Sequence, residues 1–561
     1  MLMNYARVCN PYSGFSPPVS GMSTIGYAEK ALFSGLSRHV SRYGLRIKDG
    51  RKIDPCCGSG HILVYMFDVL MQIYQNYGYS VKEAVSKIIK NNLWGLDIDG
   101  RATQLAYFSV MMKARKYDRR FLNRGVQPNI FEIIESNGLI KDKIYLSLFN
   151  QKSIDLKHKI HNMIDAFYDA KEYGSILTFN SFNGLEIKKY LDKMIEADAT
   201  SGNLFLDVLD QLEDLANIAI ALQQKYQIVV TNPPYMGANN MSSKLSSYLK
   251  QNYRISKRDL STVFMEKTMN MLESNGLMAM INIPVWMFLK GFYDLRIELL
   301  KKSTIINLVH PGRGIFGSDF GTVAFVLSQD NIDGLEGTYF KLFDKQGEVQ
   351  SIDTRERQFL SRKGMFFANQ REFLNIPGSP IAYWASKQII NDFNNPVLSD
   401  IASPRQGLAT GENNRFLRLW FEPDLSKINF HATSLEDAKE SQRKWFPYNK
   451  GGKYRKWYGN NDYVINWEND GFEIRNFKDK NGKQRSVLRN VDKYFNPAIS
   501  WSKVSSGSIA FRYKPVGYIF DVAGTSIFAN EDIRYYLLGF CNSSTALQIA
   551  SILSPTLNYE C

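Results

Sequence analysis

The sequence predicts a doubly wound α/β domain followed by a mixed α+β, β-rich domain, on three observations. Strand-like apolar segments alternate with helix-length ones from residue 52 to about residue 330, the pattern of a parallel sheet with helical crossovers. The first strand runs through a glycine turn directly into a helix. Beyond residue 330 the text breaks into short strand-like pieces between Gly, Asn and Asp turns, which suits smaller sheets.

Taken in order, residues 1–50 carry scattered Gly, Ser and Pro without periodicity and are expected to be a lead-in segment. Lys52 and Ile53 open a strand that enters DPCCGSG at 54–60. The run HILVYMFDVLMQIY then has helical length and contains neither Pro nor Gly, so the unit reads strand, turn, helix. A second strand, Leu93 to Leu96, ends in Asp97-Ile98-Asp99, and the helix ATQLAYFSVMMKAR follows. Residues 138–222 read as a helical insertion with charged faces. The sheet resumes at Gln227–Thr231, which runs into NPPY at 232–235, and Gly276–Ile283 is a further buried strand. The helix FYDLRIELLKK and the strands IINLVH and TVAFVLS complete a domain over 51–330, leaving 331–561 as the second. The chain stops at SPTLNYEC without a terminating element, as a truncated segment would.

Composition narrows the function. A hydrophobic fraction of 44% and a charged fraction of 22% suit a globular chain of 561 residues and exclude a disordered or fibrous one. Cys9, Cys56, Cys57, Cys541 and Cys561 are too few and scattered for a disulfide framework, and the six histidines sit near no Cys pair, so no structural metal site is expected. No run of about 18 apolar residues and no signal-peptide core appears, which predicts a cytoplasmic protein. Lys plus Arg exceed Asp plus Glu by 69 to 55. Residues 441–514 hold 16 Lys/Arg against 6 Asp/Glu together with 15 aromatics, among them Trp445, Tyr448, Tyr454, Trp457, Tyr458, Trp467 and Trp501. A polyanion is the expected partner. Lys444, Lys450, Lys453, Arg455 and Lys456 form the densest cationic cluster and are the candidate phosphate contacts.

Two motifs carry chemistry. Gly58 and Gly60, placed after a strand, let backbone approach a ligand beside a helix N-terminus. Their spacing fits neither the dinucleotide nor the nucleoside-triphosphate fingerprint. Asp97, 37 residues past Gly60 at the end of the next strand, stands where doubly wound sheets hold ribose hydroxyls, although a helix N-cap is an equal alternative. NPPY is more specific. Two prolines deny the backbone its N–H donors and end the strand. The Asn232 side-chain oxygen and the Pro233 carbonyl can then accept both hydrogens of a planar amine, and Tyr235 offers a face for an aromatic base.

Together DPCCGSG and NPPY, in this order with a basic domain last, resemble the S-adenosylmethionine-dependent DNA adenine-N6 methyltransferases of gamma arrangement. The fold implied is a Rossmann-like methyltransferase sheet with a C-terminal target-recognition domain. The resemblance implies that Asp54, Pro55, Gly58 and Gly60 line the methionine and ribose part of the cofactor, that Asp97 binds the ribose hydroxyls and that Ile98 packs against the adenine. Asn232, Pro233, Pro234 and Tyr235 would hold the target adenine. Phe292, in VWMFLKGFYDLR, would stack on its opposite face, the alternative being plain core. LWGLDIDGRATQLA and NPPYMG further resemble the branch belonging to BREX phage-defence systems, which implies double-stranded DNA and other defence proteins as partners. Cys56 stands where that branch has alanine, and the motif expected upstream is not evident in residues 1–50. The alternatives are an RNA or protein-glutamine amino methyltransferase, or a catalytically impaired DNA-binding component of a defence complex.

Overall fold

The computed structural model describes residues 50–139, 154–198, 206–315, 321–344, 348–504 and 509–554. The lead-in expected before residue 50 lies outside them. The described residues fall into two units, one up to Phe343 with Val349–Leu374 and one from Asn375 onward with Asp344–Glu348.

The first unit is organised by a nine-stranded sheet. Its strands are β1 (Lys52–Asp54), β2 (Leu93–Asp97), β3 (Asn129–Glu132), β4 (Tyr226–Thr231), β5 (Leu272–Asn282), β6 (Thr304–Arg313), β7 (Gly321–Ser328), β8 (Glu336–Lys341) and β9 (Met365–Asn369). Their spatial order is β3-β2-β1-β4-β5-β7-β6-β8-β9. The run from β3 to β5 is parallel. β7 is inserted antiparallel between β5 and β6. β8 adds parallel to β6, and β9 antiparallel to β8. This is the doubly wound order with two reversed strands, β7 and the edge strand β9, in its second half. Strand order reverses at β1 and β4, so the crevice beyond their carboxyl ends is where a ligand belongs.

Helix α1 (His61–Asn76) starts directly at left-handed Gly60, with no side-chain cap. Its apolar residues Leu63, Phe67 and Met71 pack with Ala106 and Val110 of α2 (Gly100–Tyr117) and with Ile228, Val230 and Ala279 of the sheet in one core. Asp68 is buried between Lys113 (2.5 Å) and the Tyr117 hydroxyl (2.9 Å), which ties α1 to α2. Asp99 caps α2, accepting from the Arg101 N–H at 2.8 Å. The cap role weighed for Asp97 therefore belongs to Asp99.

Within 138–222 the described helices are α3 (Ile154–Ala166), α4 (Gly184–Asp198) and α5 (Leu206–Gln223), with a short turn of helix at Ala170–Tyr173. α5 runs directly into β4 and is the crossover from β3. β8 and β9, which follow residue 330, continue the first sheet because Tyr339 and Phe340 are buried against it.

The second unit contains two four-stranded sheets. One joins Leu417–Leu419, Trp445–Asn449, Tyr463–Asn466 and Ile519–Phe520 around Phe446, Tyr448, Trp467 and Phe495. The other joins Ala402–Arg405, Ala498–Ser500, Arg512–Lys514 and Ser526–Ala529, packed with Trp501, Leu537 and Leu538. The aromatic wealth of 441–514 thus divides: Trp445, Tyr448, Trp467 and Trp501 are core, whereas Tyr454, Trp457 and Tyr458 are exposed.

Candidate functional site

The structure gathers Asp54, Gly58, Gly60, Asp97 and NPPY at the carboxyl end of the parallel strands. β1 pairs with β4 through Ile53 and Val229, so Asp54 and the end of β4 are neighbours at the point where strand order reverses. After Asp54 the chain turns sharply: Cys57 N–H donates to the Leu96 carbonyl and Gly60 N–H to the Cys57 carbonyl. Gly58 and Gly60 take φ of 51° and 84°, conformations that favour glycine. They do different work. A Cβ on Gly58 would meet nothing within 4 Å, so its backbone faces open space. A Cβ on Gly60 would lie 2.8 Å from the Ala106 Cα, so this glycine lets the turn sit tight on α2.

Asp97 braces the turn. One carboxylate oxygen accepts the Gly58 N–H at 2.8 Å, the other the Asp99 N–H at 3.0 Å. Each oxygen keeps a second lone pair for hydroxyl donors. Ile98 beside it is 48% exposed, a branched apolar surface held out from a strand end. Asp54 is wholly buried, with the Cys56 N–H on one oxygen at 3.1 Å. Its other oxygen and the nearby Thr231 hydroxyl are buried without a well-formed hydrogen bond. Burial pushes the Asp54 carboxyl up to about 7; Thr231 and the Cys56 N–H oppose the rise, and the Asp97 carboxylate adds to it. A cation brought near would reverse that shift. Burial also pushes the Cys56 and Cys57 thiols up, so neither is a ready nucleophile.

NPPY begins where β4 ends. Among the described residues no backbone N–H reaches the Pro233 carbonyl. Asn232 is exposed, and its Oδ1 accepts the Tyr235 hydroxyl at 2.7 Å. That hydroxyl also lies 3.3 Å from the Ile281 carbonyl. The chain after NPPY is fastened by Ala238 N–H to the Arg258 carbonyl and Leu260 N–H to the Met236 carbonyl, 2.9 Å each. Asp259 between them caps the helix Leu260–Asn270. Phe292 follows β5 at the same end of the sheet but is only 5% exposed, so it can offer a base no more than an edge; Leu289 and Tyr293 beside it are exposed.

Sequence reasoning missed one wall. The Ser175 hydroxyl donates to the Pro55 carbonyl, and Gly174 lies against Ile98, where a Cβ would be 3.0 Å from its Cγ2. Both fall in the stretch read as an insertion. Gly174 has φ of 61°, and a glycine followed by serine in a helical segment was the available signal. Glu135, exposed, accepts the Lys171 N–H at 3.2 Å. A cleft of about 730 Å³ lined by Arg51, Trp94, Phe179, Lys267 and Asn270 opens at the other ends of the strands, the wrong end for this site.

The five cations singled out in the second unit are not alike. Lys444 pairs with Glu468 (3.2 Å), Lys450 lies over the Tyr463 ring (4.6 Å) and Lys456 donates to the Asn542 carbonyl (3.2 Å). Lys453 and Arg455 stand exposed on one loop.

Comparison with known proteins agrees with this architecture. Residues 91–316 match the family profile of the Eco57I restriction-modification methylases. The chain is 39% identical over 92% of its length to the adenine-specific methyltransferase PglX of Lacticaseibacillus casei, covering 43% of that protein. It is 35% identical over 90% of its length to the adenine-specific methyltransferase BrxX of Escherichia coli O9:H4, again covering 43%. The chain thus spans less than half the length of these relatives. Among solved structures, the Type ISP restriction-modification enzyme LlaGI in complex with a DNA substrate mimic shares the fold at a TM-score of 0.53 and 14% identity, over 97% of this chain and 45% of that one. The DrdV–DNA complex does so at 0.50 and 10% identity, over 98% and 54%. With the doubly wound sheet and the NPPY strand end in place, the chain is thus similar over some nine-tenths of its length to the adenine-specific methyltransferases PglX and BrxX.

Proposed function

We propose that the protein is a site-specific adenine-N6 methyltransferase of double-stranded DNA, drawing its methyl group from S-adenosylmethionine and acting in phage defence alongside other proteins of a BREX-like system. The observation that carries the reading is the meeting of Asn232 and the bare Pro233 carbonyl with the Asp54–Gly60 turn at the strand reversal. The residues suit the cofactor. Gly58 leaves open space above the turn, Asp97 keeps lone pairs for ribose hydroxyls, Ile98 offers an apolar face, and the buried Asp54 oxygen lacks a partner. When bound, the cofactor supplies a methyl group activated on a sulfonium.

The chain's own residues do the rest. The target adenine must leave the duplex to enter the site, at a cost of a few kcal/mol. Stacking on Tyr235 and the edge of Phe292 offsets that cost. Asn232 Oδ1 and the Pro233 carbonyl accept the two amine hydrogens, which draws the nitrogen lone pair out of conjugation and aims it. Pro234 keeps the strand end rigid and free of competing donors. Positioning then accounts for most of the acceleration, and no enzyme nucleophile is needed. In the second unit, Lys453 and Arg455 are the best placed of the five cations to grip phosphates, with Lys444, Lys450 and Lys456 partly committed within the protein.

Methylation-sensitive sequencing of DNA from cells carrying the gene or its Asn232→Ala variant tests this. We expect N6-methyladenine at one short motif with the parent and its loss with the variant; a mark that persists in the variant overturns the role of Asn232.

A further inference from the structure

One loop of the second unit is built against its own stability. Between Gly451 and Asn461 five residues have positive φ: Gly451, Gly452, Gly459, Asn460 and, at 73°, Trp457. A bulky side chain pays a steric penalty in that region which glycine escapes. The ring so placed is not used as core: Trp457 is 53% exposed, and Tyr454 and Tyr458 are 56% and 59% exposed. Two unfavourable choices, a strained backbone and large rings left in water, coincide at one residue.

The loop is nevertheless firmly held. Trp457 N–H donates to the Phe511 carbonyl at 3.1 Å and Tyr513 N–H to the Trp457 carbonyl at 2.8 Å. The Asn460 side chain donates to the Lys453 carbonyl at 3.0 Å, and the Ser502 hydroxyl to the Gly452 carbonyl at 2.8 Å. Beneath it the buried Lys514 Nζ donates to the carbonyls of Gly459 and Asn460, each at 2.9 Å. Strain held in place by surrounding structure is a mark of a functional site. From Lys450 to Asn461 there are four cationic side chains and no carboxylate. A partner matching this surface carries dense negative charge and flat apolar faces together, which is the chemistry of a nucleic acid.

We infer that the loop Gly451–Asn461 is a stacking wedge for DNA, in which Trp457, flanked by Tyr454 and Tyr458, engages base faces while Lys453 and Arg455 hold the neighbouring phosphates. This rests on the DNA reading above and adds a contact by stacking to one by charge. A ring that stacks contributes affinity largely independent of salt, whereas a cation on a phosphate contributes through counterion release.

Trp457→Gly removes the ring and relieves the backbone at once, so a folding failure does not obscure the outcome. In the full chain we expect Trp457→Gly to unfold no earlier than the parent and to bind S-adenosylmethionine equally. Its affinity for a target duplex, measured by fluorescence anisotropy, should fall at least about fivefold, with an unchanged slope of log K against log salt. Arg455→Ala should instead lower that slope by about one, and Trp457→Phe should recover most of the lost affinity. A Trp457→Gly variant that binds DNA within about twofold of the parent overturns the wedge alone. A parent that neither binds nor methylates DNA overturns both the wedge and the function it rests on.

Discussion

In the turn from Asp54 to Gly60 the left-handed residues are both glycines, Gly58 and Gly60, whereas in the loop from Gly451 to Asn461 an asparagine and a tryptophan join the glycines. The first turn seats its backbone on helix α2 beneath Gly60, where a side chain is excluded, and leaves open space above Gly58. The second holds a large side chain at a fixed place in spite of the strain. A buried ionisable group also supports each loop, of opposite sign: Asp54 in one and Lys514 in the other. A sequence reader looks for glycines and finds the first loop easily. The second shows in the sequence as aromatic and basic composition, but the backbone angle that sets Trp457 apart is announced by no motif.

The contrast can be broken most forcefully at Gly60. Gly60→Ala combines left-handed strain with a 2.8 Å approach to the Ala106 Cα, and should destabilise the first unit by about 2–5 kcal/mol in denaturant unfolding. The opposite expectation holds for Trp457→Gly in the second unit.

The two ionisable supports should give opposite pH slopes. Asp54 has a folded pKa raised to about 7 from an ordinary 3.8. Between those values the folded state binds the extra proton, so this group's contribution to stability falls as pH rises to about 7 and is level above it. Asp54→Asn should therefore stabilise the first unit by up to about 4 kcal/mol at pH 8 and do little at pH 4. Lys514 has its pKa lowered to about 7 from 10.5, chiefly by burial and then by Arg512. There the unfolded state binds the extra proton, and stability rises from about pH 7 toward 10.5. Unfolding midpoints across pH 4–10, with one probe in each unit, check both signs.

A smaller effect sharpens the division of labour between the two glycines. Gly58→Ala meets open space and should cost only about 1 kcal/mol of stability, yet lower affinity for S-adenosylmethionine at least tenfold by calorimetry. The smallest change is expected for Tyr235→Phe. Tyr235→Phe keeps the ring and should retain methylation within about threefold, whereas Tyr235→Ala should lose about ten- to hundredfold, the worth of one stacking platform.

Much of the first unit could be read from its residues. β1, β2, β4 and the helices after the first two announce themselves because apolar runs of the right length are bounded by Gly, Asp and Pro. β3 did not: Asn129–Glu132 is too short for any periodicity, and unlike the still shorter β1 it runs into no glycine motif that marks its end. β8 and β9 were assigned past the domain because a strand joining a sheet at its edge, far along the chain, carries no local sign of which sheet it joins. The motif residues could be singled out because each motif fixes its residue types, and the structure brings them to one end of the sheet. Gly174 and Ser175 were not, since their importance comes from what they touch, Ile98 and Pro55, over 70 residues away. In the second unit, composition could count aromatics but not sort core rings from solvent-facing ones; the sorting depends on which strands pair.

The hydrogen bond from Tyr235 to Asn232 has its own consequence for selectivity on the proposed reading. The carboxamide oxygen that would receive the target already accepts one donor and keeps one lone pair for a second. Adenine's amine can fill it. A base with a carbonyl at the position of that amine, as thymine has, would set acceptor against acceptor there. With Tyr235 holding the oxygen, the remaining place would suit a donor alone, with no clash and no extra residue.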